Sequence, residues 1–187
     1  MQTYIALLRG VNVSGKNKLN MAELKMMLED WWKYKQVETY IQTGNIIFQY
    51  ENIPPKVLAT DIHNSIRDTF GYEVPVLVMT KANFLNTVDN NPFLEESKVL
   101  DPKFLHVTFL EDIPVLALVP KVLEADNGSE EIRWVRDKLY LYYPDGYGRA
   151  KMTNNKIEIK LKVNATTRNW RTCNKLADML RAYEEEF

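Results

Sequence analysis

With 187 residues, 45% of them apolar and 26% charged, the chain has ordinary globular usage and length for one large core or two small ones, which excludes a disordered polymer. A single cysteine, Cys173, excludes an internal disulfide, and with His63 and His106 as the only histidines there is no cluster at zinc-ligand spacing, so neither metal nor cofactor is implied. The net charge of −1 argues against bulk electrostatic binding of nucleic acid, and no run approaches the ~20 apolar residues of a membrane span, so a protein of the reducing cytoplasm with no membrane partner is expected.

Residues 3–13 read as a buried strand. Met21, Leu24, Met27, Leu28 and Trp31 then recur at helical spacing behind an Asn20-x-x-Glu23 box that resembles an N-terminal cap. Val37, Thr39 and Ile41 alternate up to Thr43-Gly44-Asn45, and residues 46–50 resume the apolar run, which predicts a hairpin. Pro54 and Pro55 open a second helix with Leu58, Ile62, Ile66 and Phe70 four apart, ended by Gly71. Residues 74–79 make a fourth strand. The order βαββαβ predicts a ferredoxin-like sheet with that strand at an edge, where Pro75 is tolerated. A short helix carrying Phe84, Leu85 and Val88 closes a first subdomain, residues 1–90, and residues 91–102 read as a linker.

Residues 103–187 form a smaller α+β unit in this reading. Residues 104–110 are a strand, and Pro120 can open a short helix. Residues 132–143 are a hairpin turning at Asp137-Lys138, which puts Ile132, Trp134, Leu139, Leu141 and Tyr143 on a core face. Arg133, Val135, Tyr140 and Tyr142 share the other face, where they could stack a base or simply stabilise the sheet. Residues 157–163 alternate like a strand. A long C-terminal helix buries Trp170, Cys173, Ala177 and Leu180, with Thr166 or Thr167 as its cap.

The charge is uneven. Residues 145–175 hold eight basic and two acidic side chains, so this segment carries +6 and the remainder −7. Within it Ala165-Thr166-Thr167-Arg168-Asn169-Trp170-Arg171-Thr172 places guanidiniums, a carboxamide and hydroxyls around the expected helix tip, with Arg168 and Arg171 on one face. That run reads equally as an anion site or as a structural clamp.

Other motifs are weaker. Gly10-Val11-Asn12-Val13-Ser14-Gly15-Lys16-Asn17 nearly spells a phosphate-binding loop but has Asn17 where a magnesium-holding hydroxyl belongs, so an anion-assisting Gly-Lys turn is the better reading. Tyr4 and Tyr50 sit roughly where an RNA-recognition sheet carries stacking aromatics, but the central ones are missing, and ordinary sheet packing explains both tyrosines. Cys173 falls on an apolar helix face, as a buried structural thiol would.

The segments Leu7-Leu8-Arg9-Gly10-Val11-Asn12-Val13, Tyr40-Ile41-Gln42-Thr43-Gly44-Asn45, Asn91-Pro92-Phe93 and Thr166-Thr167-Arg168-Asn169-Trp170, in this order and spacing, resemble the bacterial domain of unknown function family 1697. The resemblance implies a small cytosolic α+β protein and brings no established activity. The chain departs from the family pattern at Ser14-Gly15, where paired glycines are common, and at Thr43, where serine is usual. Lys162 stands where a glycine commonly ends a short helix, so helix and strand both remain open for residues 157–163.

The polar motif residues gather at strand ends and loops: Arg9, Asn12, Lys16, Thr43, Asn45, Tyr147, Arg149, Arg168, Asn169 and Arg171. Donors without a general base suggest binding of a small anionic or phosphorylated ligand. An enzyme using the same donors to stabilise developing charge ranks second, and an RNA or protein interaction module third.

Overall fold

Gln2–Leu8 forms β1, with residues 3–8 buried, and it stops short of residue 13 because Gly10 and Asn12 take φ of 70° and 54°, which end an extended chain. The computed structural model describes residues 1–13, 17–95, 100–125 and 127–183. Ser14, Gly15 and Lys16 lie outside them, and with these the tip of the loop that resembles a phosphate-binding turn.

Helix α1 (Met21–Asp30) starts where its cap predicts. The Asn20 carboxamide oxygen accepts from the amides of Ala22 and Glu23, and its NH2 donates to the Glu23 carboxylate. Strands β2 (Lys35–Tyr40) and β3 (Asn45–Tyr50), helix α2 (Pro55–Phe70) and strand β4 (Val76–Thr80) follow. Gly71, at φ 74°, ends α2 by donating its amide to Arg67. The sheet order is β2-β3-β1-β4, antiparallel throughout. Thus β4 is an edge strand, with Pro75 just before it, as expected.

Tyr4, Ala6 and Leu8, on one face of β1, share a cluster with Leu24 and Leu28 of α1 and with Leu58, Ile62 and Ile66 of α2. Both helices therefore cover the same face of this sheet. Packing rather than base stacking accounts for Tyr4. Tyr4 is fully buried beneath those helices, stacked on Phe48 at 5.6 Å, and its hydroxyl donates to the carbonyls of Glu51 and Ile53.

Two compact units divide the chain: Met1–Leu85 with the stretch from Ala177 onward, and Asn86–Leu176. Helix α3 (Lys81–Asp89) precedes the second unit's sheet. That sheet comprises β5 (Leu105–Leu110), β6 (Glu131–Val135), β7 (Lys138–Tyr142) and β8 (Ala165–Asn169), in antiparallel order β6-β7-β5-β8. Helices α4 (Pro120–Leu123) and α5 (Asn154–Leu161) lie between its strands in sequence, and α6 (Trp170–Ala182) comes last. Leu110, Val122, Leu139, Leu141, Ile157 and Leu161 are members of one core cluster on a face of this sheet.

Four expectations are corrected here. The hairpin turns at Arg136-Asp137, one residue early, since Val135 pairs with Lys138 and Arg136 takes a φ of 55°. The face assignment survives, because moving a two-residue turn by one position changes each pairing by two residues, which preserves side-chain parity. The opposite face is not an open stacking surface: Phe93 and Phe104 pack on Tyr142, the Arg133 guanidinium lies 4.1 Å from the Phe93 ring centre, and Tyr140 donates to Thr87.

Residues 157–163 are not a strand. Ile157 and Leu161, four apart, are buried while Ile159 is 76% exposed, and Lys162 adopts the left-handed cap conformation at φ 56° that glycine would take more easily. Finally, Ala165–Asn169 is strand rather than helix tip. Asn169, not Thr166 or Thr167, caps α6, its side-chain oxygen accepting from the Arg171 amide at 2.9 Å. Arg168 and Arg171 consequently do not share a helix face.

Candidate functional site

In the first unit the motif residues build a loop junction. Asn12 occupies the left-handed region, and its NH2 donates to the carbonyls of Leu19 (2.9 Å) and Gln42 (2.8 Å) while its oxygen accepts from the Leu19 amide. The carboxamide thus staples the loop after β1 to the β2–β3 turn. Asn45 is buried and donates to the Tyr40 carbonyl across that turn. Leu8 donates its amide to Gly44, and Arg9 donates its own to Pro75. The side chains of Arg9 and Thr43 remain partly exposed at this junction.

The second unit assembles a polar cluster at the end of β5 and β8. His106 and Asn169 are cross-strand partners, so their side chains share a face. The Asn169 NH2 donates to the Lys103 carbonyl at 2.9 Å and lies 3.4 Å from His106 Nε2. His106 Nδ1 sits 3.3 Å from the Phe104 carbonyl, which assigns the proton to Nδ1 and leaves Nε2 as acceptor. Burial pushes the imidazole pKa below its ordinary value, keeping it neutral at pH 7.

Charged groups ring this core. Asp101 accepts from the Lys103 amide at 2.9 Å, pairs with Lys103 Nζ at 3.1 Å and has the Arg171 guanidinium at 3.8 Å. The backbone hydrogen bond first, then the two cations, hold its carboxyl below the usual carboxylate range. Lys103 Nζ also stands 4.5 Å from the Phe104 ring centre. Tyr147, in a 3-10 turn formed by Tyr147–Arg149, stacks on the imidazole of His106, with ring centres 5.0 Å apart and planes 22° apart. Arg149 is exposed and lines, with Tyr143, Gly146 and Lys151, a hollow of about 300 Å³.

The structure therefore joins Tyr147, Asn169 and Arg171, and adds Asp101, Lys103 and Tyr143, which the sequence did not single out. The Asp101-Pro102-Lys103 step was legible only as a boundary, and His106 only as a strand residue without a visible partner. Arg168 goes elsewhere: it is 8% exposed near the end of β8, one Nη donates to the Thr167 carbonyl, and burial pushes its guanidinium down to about 10. Cys173 is wholly buried, its thiol pushed up to about 12 by desolvation, as the structural reading requires. Among the described residues no group of His, Cys, Asp and Glu could hold a metal ion.

The chain belongs to the family described as protein of unknown function DUF1697, whose profile matches residues 1–140. It is also similar over 96% of its length, and 98% of the other chain, to the solved structure of the conserved bacterial protein SP0830 from Streptococcus pneumoniae, at 22% identity and a TM-score of 0.70. That likeness is one of fold. No curated protein matches the chain. No helix among the described residues is long and apolar enough to cross a membrane.

Proposed function

We propose that this protein binds a small anionic ligand on its second unit, through the donors of Lys103 and Arg171 beside Tyr147, with Asn169 fixing the segments that carry them. The observation that supports the reading is the convergence of two distant chain segments, residues 101–106 and 169–171, at Asn169, whose carboxamide meets the Lys103 carbonyl, the His106 ring and the Arg171 amide. Both cations have exposed side chains, at 51% and 68%, so solvent and ligand can reach them. Asp101 holds the two positive groups close together and leaves the trio with a net positive charge. An incoming oxyanion would compete with this carboxylate for the same guanidinium and ammonium.

Binding fits the site better than catalysis. His106 is its natural proton acceptor, yet it is buried and both ring nitrogens face neighbours. Arg149 contributes positive charge from the adjoining turn. The proposed site is confined to the second unit, and Arg9 and Thr43 of the first unit, on the loop that Asn12 and Asn45 hold, do not enter it. Arg168 supports the sheet rather than the ligand, and a cytoplasmic setting accords with these charged surfaces.

Titration calorimetry at low salt with inorganic pyrophosphate tests the reading. Wild type should bind, and the Lys103→Ala/Arg171→Ala double variant should lose at least tenfold in affinity while melting like wild type, because exposed ion pairs add little stability. Equal affinity of the two proteins would refute it.

A further inference from the structure

The aromatic group in this cluster is arranged in a way that anion binding alone does not require. Tyr143 is buried and fixed by donating its hydroxyl to the Met152 carbonyl at 2.7 Å. Its ring meets both His106, at 5.2 Å and 69°, and Tyr147, at 5.4 Å and 74°, edge to face. Tyr147 then lies nearly parallel on His106 and is itself 38% exposed. Two buried rings thus hold one exposed ring in a fixed plane, and a preorganised surface loses little conformational freedom when a second ring is laid on it.

The glycines beside Tyr147 point the same way. Gly146 takes a φ of 84° with a ψ of 150°, a backbone region for glycine alone. Gly148 has no such constraint, and a Cβ built there, as at Gly146, would meet nothing within 4 Å. Packing therefore does not demand a glycine at 148. What its missing side chain provides is open space next to the tyrosine.

We infer that the anionic ligand also carries a flat aromatic ring, and that its class is the mononucleotide: Tyr147 stacks the base, while Lys103 and Arg171 take the phosphate. This rests on the anion-binding reading above and adds the base to it. Stacking of a base on an aromatic side chain corresponds to roughly 10- to 100-fold in affinity.

The test is calorimetry at low salt with adenosine monophosphate, ribose 5-phosphate and a single-stranded RNA oligomer. Wild type should bind the nucleotide about 10- to 100-fold more tightly than the sugar phosphate. Tyr147→Ala should erase that ratio by weakening the nucleotide far more than the sugar phosphate, whereas Tyr147→Phe should keep it. Gly148→Leu should also lower the ratio, with the melting temperature and near-ultraviolet circular dichroism of all three variants confirming an intact fold. Equal binding of nucleotide and sugar phosphate by wild type would overturn the inference and leave anion binding standing. Binding of neither ligand would overturn both. RNA binding much tighter than the nucleotide, falling steeply with salt, would replace the mononucleotide with a polymer.

Discussion

Gly44 should be among the least replaceable positions in the first unit, and the two causes can be measured apart. Its φ is +81°, and a Cβ there would lie 2.5 Å from Leu8 Cβ and 2.7 Å from Val11 Cγ2. Leu8 and Val11 are fully buried, and a Cβ bonded directly to a strand backbone cannot rotate away. The left-handed conformation costs a non-glycine residue about 1–2 kcal/mol. Overpacking adds about 1–3 kcal/mol. Gly44→Ala should therefore destabilise by about 2–5 kcal/mol, a drop of roughly 5–15 °C in melting temperature for a chain of this size. Gly10 supplies the control, since its φ is +70° but a Cβ would meet nothing within 4 Å. Gly10→Ala should show the conformational cost alone. Urea titration and thermal melts of the three proteins by circular dichroism provide the comparison. If Gly44→Ala were no less stable than Gly10→Ala, the close approach of the two loops would not be the reason for this glycine.

His106 predicts a pH dependence: its folded pKa lies below the ordinary value because of burial, so the unfolded chain takes up the proton first and stability falls as pH drops below about 6.5. Denaturant titrations between pH 7 and pH 5 should show this loss in wild type and a flatter profile in His106→Gln, and matching slopes would refute the assignment. Lys162→Gly should raise stability by about 0.5–1 kcal/mol, because the left-handed cap of α5 at φ 56° suits glycine, and an unchanged or lower urea midpoint would count against it.

The first unit was legible in the sequence because its signals are local and agree with one another. The Asn20 box, the paired prolines before α2, Gly71 and the edge proline each fix a boundary by backbone chemistry acting within a few residues. The second unit was harder where one pattern fits two structures. Ile157, Ile159, Leu161 and Val163 alternate, yet Ile159 points away from the core that Ile157 and Leu161 enter, and a lysine stands at the cap where glycine would have announced a helix end. Thr166 and Thr167 are common capping residues, but pairing with Phe109 and Thr108 draws them into β8 and passes the cap to Asn169. The site followed from that displacement. Lys103 and His106 meet Asn169 only through cross-strand register and a loop carbonyl, neither of which spacing along the chain encodes.

Asn169 ends a strand, begins a helix and forms a wall of the polar cluster with one carboxamide. Aspartate would keep the acceptor for the Arg171 amide but turn a second oxygen toward the Lys103 carbonyl. Serine can cap a helix but falls short of that carbonyl, and glutamine carries the right atoms one methylene too far out. Only one standard side chain supplies donor and acceptor at this reach. Substitution at this position therefore cannot separate the architectural tasks from the chemical one, and the joint and the cluster must change together.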